Sequence, residues 1–209
     1  MATSTFGSLC LDVIMRDDLL YPHLGNNMER LWDIVVHEVE SEMGDEADPQ
    51  IIKIDGKEHQ IRHNLWLALL QLRLTKEERI LWIDAVCINQ NDIEERNHQV
   101  GFMCFIYRQA YHVIAWLGPE TETSHEAIGF LNQMLDGSIP IANCDRLPFK
   151  KKWDAIKQLC EMQYWRRLWI IQEVVLASQV TFWCGKDTLP GEAFISIPTQ
   201  LEEYSEYRT

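Results

Sequence analysis

The chain has 209 residues, a formal net charge of −13, 46% hydrophobic residues and eight tryptophans. That is enough chain for one domain with a sizeable core, and the apolar and aromatic content excludes a disordered segment. The acidic balance excludes a general nucleic-acid-binding surface, because the basic runs Lys150–Lys152 and Arg166–Arg167 are too short for a phosphate footprint.

Residues 1–48 read as an N-terminal extension, helical and packed on the core, ahead of one domain over 49–209 whose core motifs fall at 50–185. Within the extension, 7–15 suits a strand. The stretch 27–44 has Leu31, Ile34, Val35 and Val39 at helical spacing, with Asn27 as N-cap and Gly44 as stop, and is read as a helix. An acidic linker at 45–49 follows. Two short runs around Asp55-Gly56 predict a hairpin over 51–61, since Asp-Gly suits a type I′ turn. Leu65, Leu69 and Leu72 predict a helix over 64–73.

Ile80–Val86 is an apolar run broken by Asp84 and reads as a buried parallel strand with a polar residue near its end. A Cys87–Asn91 loop leads into a helix over 92–110, with Asn91 or Asp92 as its cap. Tyr111–Leu117 predicts a second strand, stopped by Gly118-Pro119. Helices are expected over 123–135, 149–160 and 166–176, a third strand over 178–185, a turn over 186–192 and a polar helix over 201–207. Strands alternating with helices from residue 80 onward predict a parallel α/β sheet, in which ligands bind beyond the carboxyl ends of the strands.

The predicted helix over 166–176 holds Arg166, Arg167 and Glu173 as its only charges, on a surface apolar most of the way round. Trp169 and Glu173 fall one turn apart on such a helix. Glu173 has two readings: an ion pair with Arg166 or Arg167 at the helix edge, or a carboxylate kept for chemistry. Asp84 either caps the next turn or contacts a ligand at the rim, and Asn89 either satisfies the loop backbone or lines that rim. Cys87 beside Asp84, with His98 eleven residues on, has the makings of a nucleophile, although packing is the commoner fate of a single cysteine.

The chain lacks GxSxG, GxGxxG, a P-loop and HExxH, and its six cysteines show no zinc spacing, so no metal and no bound cofactor is expected. Cys87, Cys104, Cys160 and Cys184 sit in apolar runs and are expected to be buried free thiols, as in a reducing compartment. The first residues show no secretory signal, and no apolar run approaches the ~20 residues of a bilayer span. A cytoplasmic location follows.

The blocks LWIDAVCINQNDIEER at 81–96, QVGFMCFIYRQA at 99–110, VIAWLG at 113–118 and RRLWIIQEV at 166–174 resemble the fungal heterokaryon incompatibility (HET) domain family. The segment IDGKEHQIRHNLWLAL at 54–69 is similar to the family's stretch before its first core helix. The aromatic strand LSYxWG that opens the family's domain has no counterpart here; LWDIVV at 31–36 sits near its place but fits a helix at least as well.

The resemblance implies a flavodoxin-like/TIR-like parallel sheet with helices on both faces and extra helical insertions between 123 and 160. TIR domains carry a glutamate that cleaves NAD, and Trp169 and Glu173 match its tryptophan-to-glutamate spacing. The resemblance therefore implies an effector of regulated cell death and innate immunity that hydrolyses NAD or a related nucleotide, with Glu173 catalytic. Asp84, Asn89, Trp116, Arg166, Arg167, Trp169 and Gln172 would be its substrate-side residues. Self-association and an upstream sensor protein are the implied partners. The rival expectation is a non-enzymatic signalling module in which Glu173 is structural.

Overall fold

The computed structural model describes residues 9–10, 32–38, 49–54, 57–74, 81–140, 149–167 and 170–206. Asn27, Gly44, the 45–48 linker, the Asp55-Gly56 turn and Trp169 lie outside them. The fold is mixed α/β. Its larger sheet has five strands: β2 (Trp32–Glu38), β5 (Leu81–Ile83), β6 (Ala110–Gly118), β7 (Val180–Cys184) and β8 (Asp187–Pro190), in the order β5-β2-β6-β7-β8. The first three pairings along that order are parallel, while β7 and β8 are antiparallel. A smaller sheet joins β1 (Leu9–Cys10), β3 (Gln50–Ile54) and β4 (Lys57–Ile61). The expectation of one parallel sheet is thus corrected to two sheets of mixed direction.

The main correction is β2. The stretch expected to be a helix over 27–44 contains a strand that lies between β5 and β6, with Val35 level with both Trp82 and Val113. Ile34, Val35 and Val36 are consecutive β-branched residues, stiff at χ1 and suited to a pleated surface. Central parallel strands read as continuous apolar runs, and a continuous run also satisfies a helical template.

The period of two in the other strands sets the two faces of the large sheet. Leu81, Ile83 and Ile114 pack on one side with Leu65, Leu69 and Leu72 of α1 (His63–Leu72) and with Ile52, Ile54 and Ile61 of the hairpin. Trp82 and Val113 pack on the other with Met103, Ile106 and Tyr107 of α3 (Ile93–Gln109). On that same side Ala115, Leu117 and Phe182 meet α4 (Glu122–Leu135), α5 (Lys150–Cys160) and the start of α7 (Ala193–Glu206). Asp92 caps α3, accepting from the amides of Glu94 and Glu95.

Three further boundaries differ from expectation. β5 stops at Ile83, and Asp84 opens a short helix, α2 (Asp84–Cys87). The expected turn over 186–192 contains β8, an edge strand that tolerates Pro190 at its end. The helix expected over 166–176 is split: Gln163–Arg166 form a 3₁₀ turn, Arg167 is extended, and α6 begins at Ile170 and runs to Leu176. The turn is pinned by its rings, because Tyr164 and Trp165 pack edge to face and the Trp165 indole donates to the Leu159 carbonyl at 2.7 Å. Among the described residues no helix is long and apolar enough to cross a membrane.

Candidate functional site

Glu173 sits on α6 and is fully buried, at 0% exposure. A carboxylate removed from water needs compensation. Part of it comes from Tyr164, whose hydroxyl donates to Glu173 Oε2 at 2.6 Å. Tyr164 is buried as well and is held in place by the 3₁₀ turn. Burial pushes its hydroxyl far above the ordinary phenol range; the Glu173 charge and the hydrogen bond to it push further, while Arg167 pulls the other way. Tyr107 on α3 is raised in the same manner, by burial first, then by the charges of Glu173 and Asp84, against Arg167. Two phenols, two carboxylates and one guanidinium therefore share one electrostatic neighbourhood.

Part of that neighbourhood opens into a cleft of ≈320 Å³, lined by Gln60 and Arg62 from the end of the hairpin, Leu65 of α1, Asp84 and Gln90 after β5, and Arg167. It lies at the carboxyl end of β5, where the alternating α/β pattern predicts a ligand. Asp84 also serves the local backbone there. Its Oδ1 accepts from the Ala85 amide at 2.7 Å, and its carbonyl accepts from the Gln90 side chain at 3.1 Å.

The residues singled out from the sequence separate into groups. Asp84 and Arg167 line the cleft, whereas Glu173 is not among the lining residues. Arg166 is exposed and ends the 3₁₀ turn, so the two arginines leave the helix and part company. Asn89 is exposed and closes its own loop, accepting from the Asn91 amide at 3.2 Å while its own amide donates to Glu95 at 3.0 Å. Trp116 is buried, its indole donates to Asn64 Oδ1 at 3.0 Å, and it borders a second cleft of ≈280 Å³ with Leu70 and Glu120. Gln172 keeps its Oε1 buried without a hydrogen-bond partner among the described residues.

Cys87 lacks the environment of a nucleophile. Burial pushes its thiol up to about 11, with the Asp84 charge adding and a hydrogen bond from the Ile83 amide opposing. His98 is exposed on α3 and packs on Phe102 instead. Cys160, expected to be buried, is exposed, and Cys184 is buried. Among the described residues no group of three or more His, Cys, Asp and Glu is placed to hold a metal ion.

Sequence reading missed Tyr107, Tyr164, Gln60 and Arg62. Tyr107 stood inside the block at 99–110, where a tyrosine in an apolar helix was the available signal. The Tyr164–Glu173 bond spans a turn, an extended residue and a helix start, a path with no fixed period to read.

The family described as heterokaryon incompatibility protein (HET) matches residues 31–173. The matched stretch begins one residue ahead of β2 and ends on Glu173. The chain is also 32% identical, over 156 aligned residues, to heterokaryon incompatibility protein 6, OR allele, of Neurospora crassa; this takes in 60% of the chain and 22% of that relative. The chain thus spans about 22% of the curated relative it matches. No solved structure matches it. The chain belongs to the heterokaryon incompatibility (HET) family.

Proposed function

We propose that this family member acts in fungal heterokaryon incompatibility, as a cytoplasmic effector of regulated cell death that hydrolyses NAD or a related nucleotide. The observation that carries the reading is a fully buried glutamate, bonded to a buried tyrosine and sharing its electrostatic neighbourhood with Asp84 and Arg167 of an open cleft. The large sheet, numbered by its own strands in chain order, runs 2-1-3-4-5, the order of flavodoxin-like folds, and this supports the TIR-like comparison.

The proposed reaction breaks the bond between the ribose anomeric carbon and the nicotinamide nitrogen. The bonding pair leaves with nicotinamide and neutralises its ring. Water adds to the anomeric carbon and loses a proton, giving ADP-ribose. The transition state is oxocarbenium-like, and Glu173 is the carboxylate that stabilises it. Asp84, Asn89, Trp116, Arg166, Arg167, Trp169 and Gln172 stand as substrate-side residues of the proposal, with Asp84 and Arg167 the two that share the cleft. Glu173 is withheld from the cleft in the isolated chain, so the reading requires self-association, driven by an upstream sensor, to bring the carboxylate to the substrate.

The test is nicotinamide release from NAD, followed by chromatography, for concentrated wild type and for Glu173→Gln and Glu173→Ala variants whose folding is checked by circular dichroism. Release by wild type and loss of at least two orders of magnitude in folded Glu173→Gln supports the proposal. No release from wild type, even when the protein is forced to cluster, removes it. One observation favours the second reading, a non-enzymatic module that self-associates. Ile171 and Val175, one turn apart on α6, are 63% and 71% exposed, an apolar face on the outer side of the helix that carries Glu173.

A further inference from the structure

The described residues of the cleft carry a charge opposite in sign to that of the chain. The protein has 32 acidic against 19 basic residues, yet among the described residues the charged side chains lining the cleft are two guanidinium groups, Arg62 and Arg167, and one carboxylate, Asp84. The two arginines come from different places: Arg62 follows β4 at the start of α1, and Arg167 is the extended residue that closes the 3₁₀ turn. Gln60 and Gln90 add neutral hydrogen-bonding groups, and Leu65 supplies an apolar wall.

We propose that this cleft is a diphosphate subsite read by Arg62 and Arg167, with Asp84 accepting from a ribose hydroxyl. The substrate class is then a nucleotide carrying a 5′-diphosphate, free or bridged, and not a free nucleoside. The inference deepens the hydrolytic reading and rests on it for the word substrate. Guanidinium forks meet phosphate oxygens in pairs, with a geometry an ammonium lacks. A carboxylate at the end of a parallel strand suits a ribose hydroxyl, which a phosphate-only site would not need. A volume of ≈320 Å³ lies at the small end for ligand sites and gives room for a sugar and its phosphates, so the remainder of a dinucleotide extends outside. The pair expected from the sequence was Arg166 with Arg167; the cleft replaces Arg166 by Arg62.

The experiment is calorimetric titration of the full chain with ADP and with adenosine, for wild type, Arg62→Gln and Arg62→Lys. Arg62 is exposed, so Arg62→Gln is expected to keep the wild-type thermal midpoint. The expected result is one ADP per chain, adenosine at least tenfold weaker, and a loss of at least tenfold in ADP affinity in Arg62→Gln that Arg62→Lys restores in part. Equal affinity for ADP and adenosine, no ADP binding by wild type, or unchanged ADP binding by Arg62→Gln overturns the subsite. Failure of the two proposals is distinguishable. ADP binding that depends on Arg62, without nicotinamide release, keeps the subsite and removes the hydrolysis. Equal release from NAD and from nicotinamide riboside, indifferent to Arg62→Gln, keeps the hydrolysis and removes the subsite.

Discussion

The chain has two polar centres that share an electrostatic field and differ in access to water. One is the Tyr164–Glu173 pair, fully buried between the 3₁₀ turn and α6. The other is the open cleft, where Arg62 is exposed and Asp84 and Arg167 are half-buried. Burial makes every charge at the first centre a matter of stability, because removing one partner leaves the other without water to replace it. Solvent at the second centre screens the same charges and makes them cheap to change. The contrast predicts that stability and binding separate along the line between the two.

The largest expected effect is at the buried centre. Glu173→Ala removes the acceptor of the Tyr164 hydroxyl and leaves a gap, and should cost about 3 kcal/mol of unfolding free energy. Tyr164→Phe keeps the ring packing and removes the one hydroxyl, for about 2 kcal/mol. Arg62→Gln at the cleft should stay within about 0.5 kcal/mol of wild type. Urea denaturation of the three variants checks the order. A cost for Arg62→Gln equal to that for Glu173→Ala breaks the comparison. The double variant Tyr164→Phe/Glu173→Leu sharpens it: an apolar replacement of both partners should cost less than the sum of Tyr164→Phe and Glu173→Leu measured singly. That result would mark the pair as one the fold can do without.

A second, smaller effect lies in the alkaline range. Tyr107 and Tyr164 are two of six tyrosines, and both are raised well above the ordinary phenol range. For each, the folded chain holds its proton more tightly than the unfolded chain does. The corresponding stability is complete below about pH 10, the unfolded value, and is lost as the pH rises above it. Absorbance titration near 295 nm should therefore show two phenols that ionise only together with loss of the folded state. Six phenols titrating before unfolding would mean that water reaches the buried centre.

The two centres were also unequally legible in the sequence. The rim was readable because Asp84 interrupts an apolar run and the block at 81–96 opens on a strand, so polarity and periodicity agree. The helices α1, α3 and α4 were readable from their apolar spacing and, for α3, its aspartate cap. β2 was not, because three consecutive β-branched residues satisfy both templates and only the flanking β5 and β6 decide between them. The break before α6 was hidden for a related reason. Nothing in RRLW opposes a helix, and the turn is set by where Trp165 finds the Leu159 carbonyl. Arg62 was passed over because a lone arginine at the end of a hairpin is ordinary until a second chain segment brings Arg167 to the same cleft.

The smallest effect tests whether the Asp84 charge is felt at Cys87. Cys87 ends the short helix that Asp84 opens, and its thiol is pushed up to about 11, mainly by burial and in smaller part by the Asp84 charge. At pH 8 its thiolate should be about a hundredfold scarcer than that of an unperturbed cysteine, with alkylation by iodoacetamide slowed to match. Asp84→Asn leaves the burial and deletes the charge, so Cys87 alkylation should rise by a few-fold at most. Peptide mass spectrometry over a time course reads both rates. A large acceleration in Asp84→Asn would mean that the substitution opens the packing around Cys87 to solvent and that burial, not charge, had been changed. A small acceleration means that the Asp84 charge reaches Cys87 through intact packing, so the rim carboxylate is felt in the core without admitting water to it.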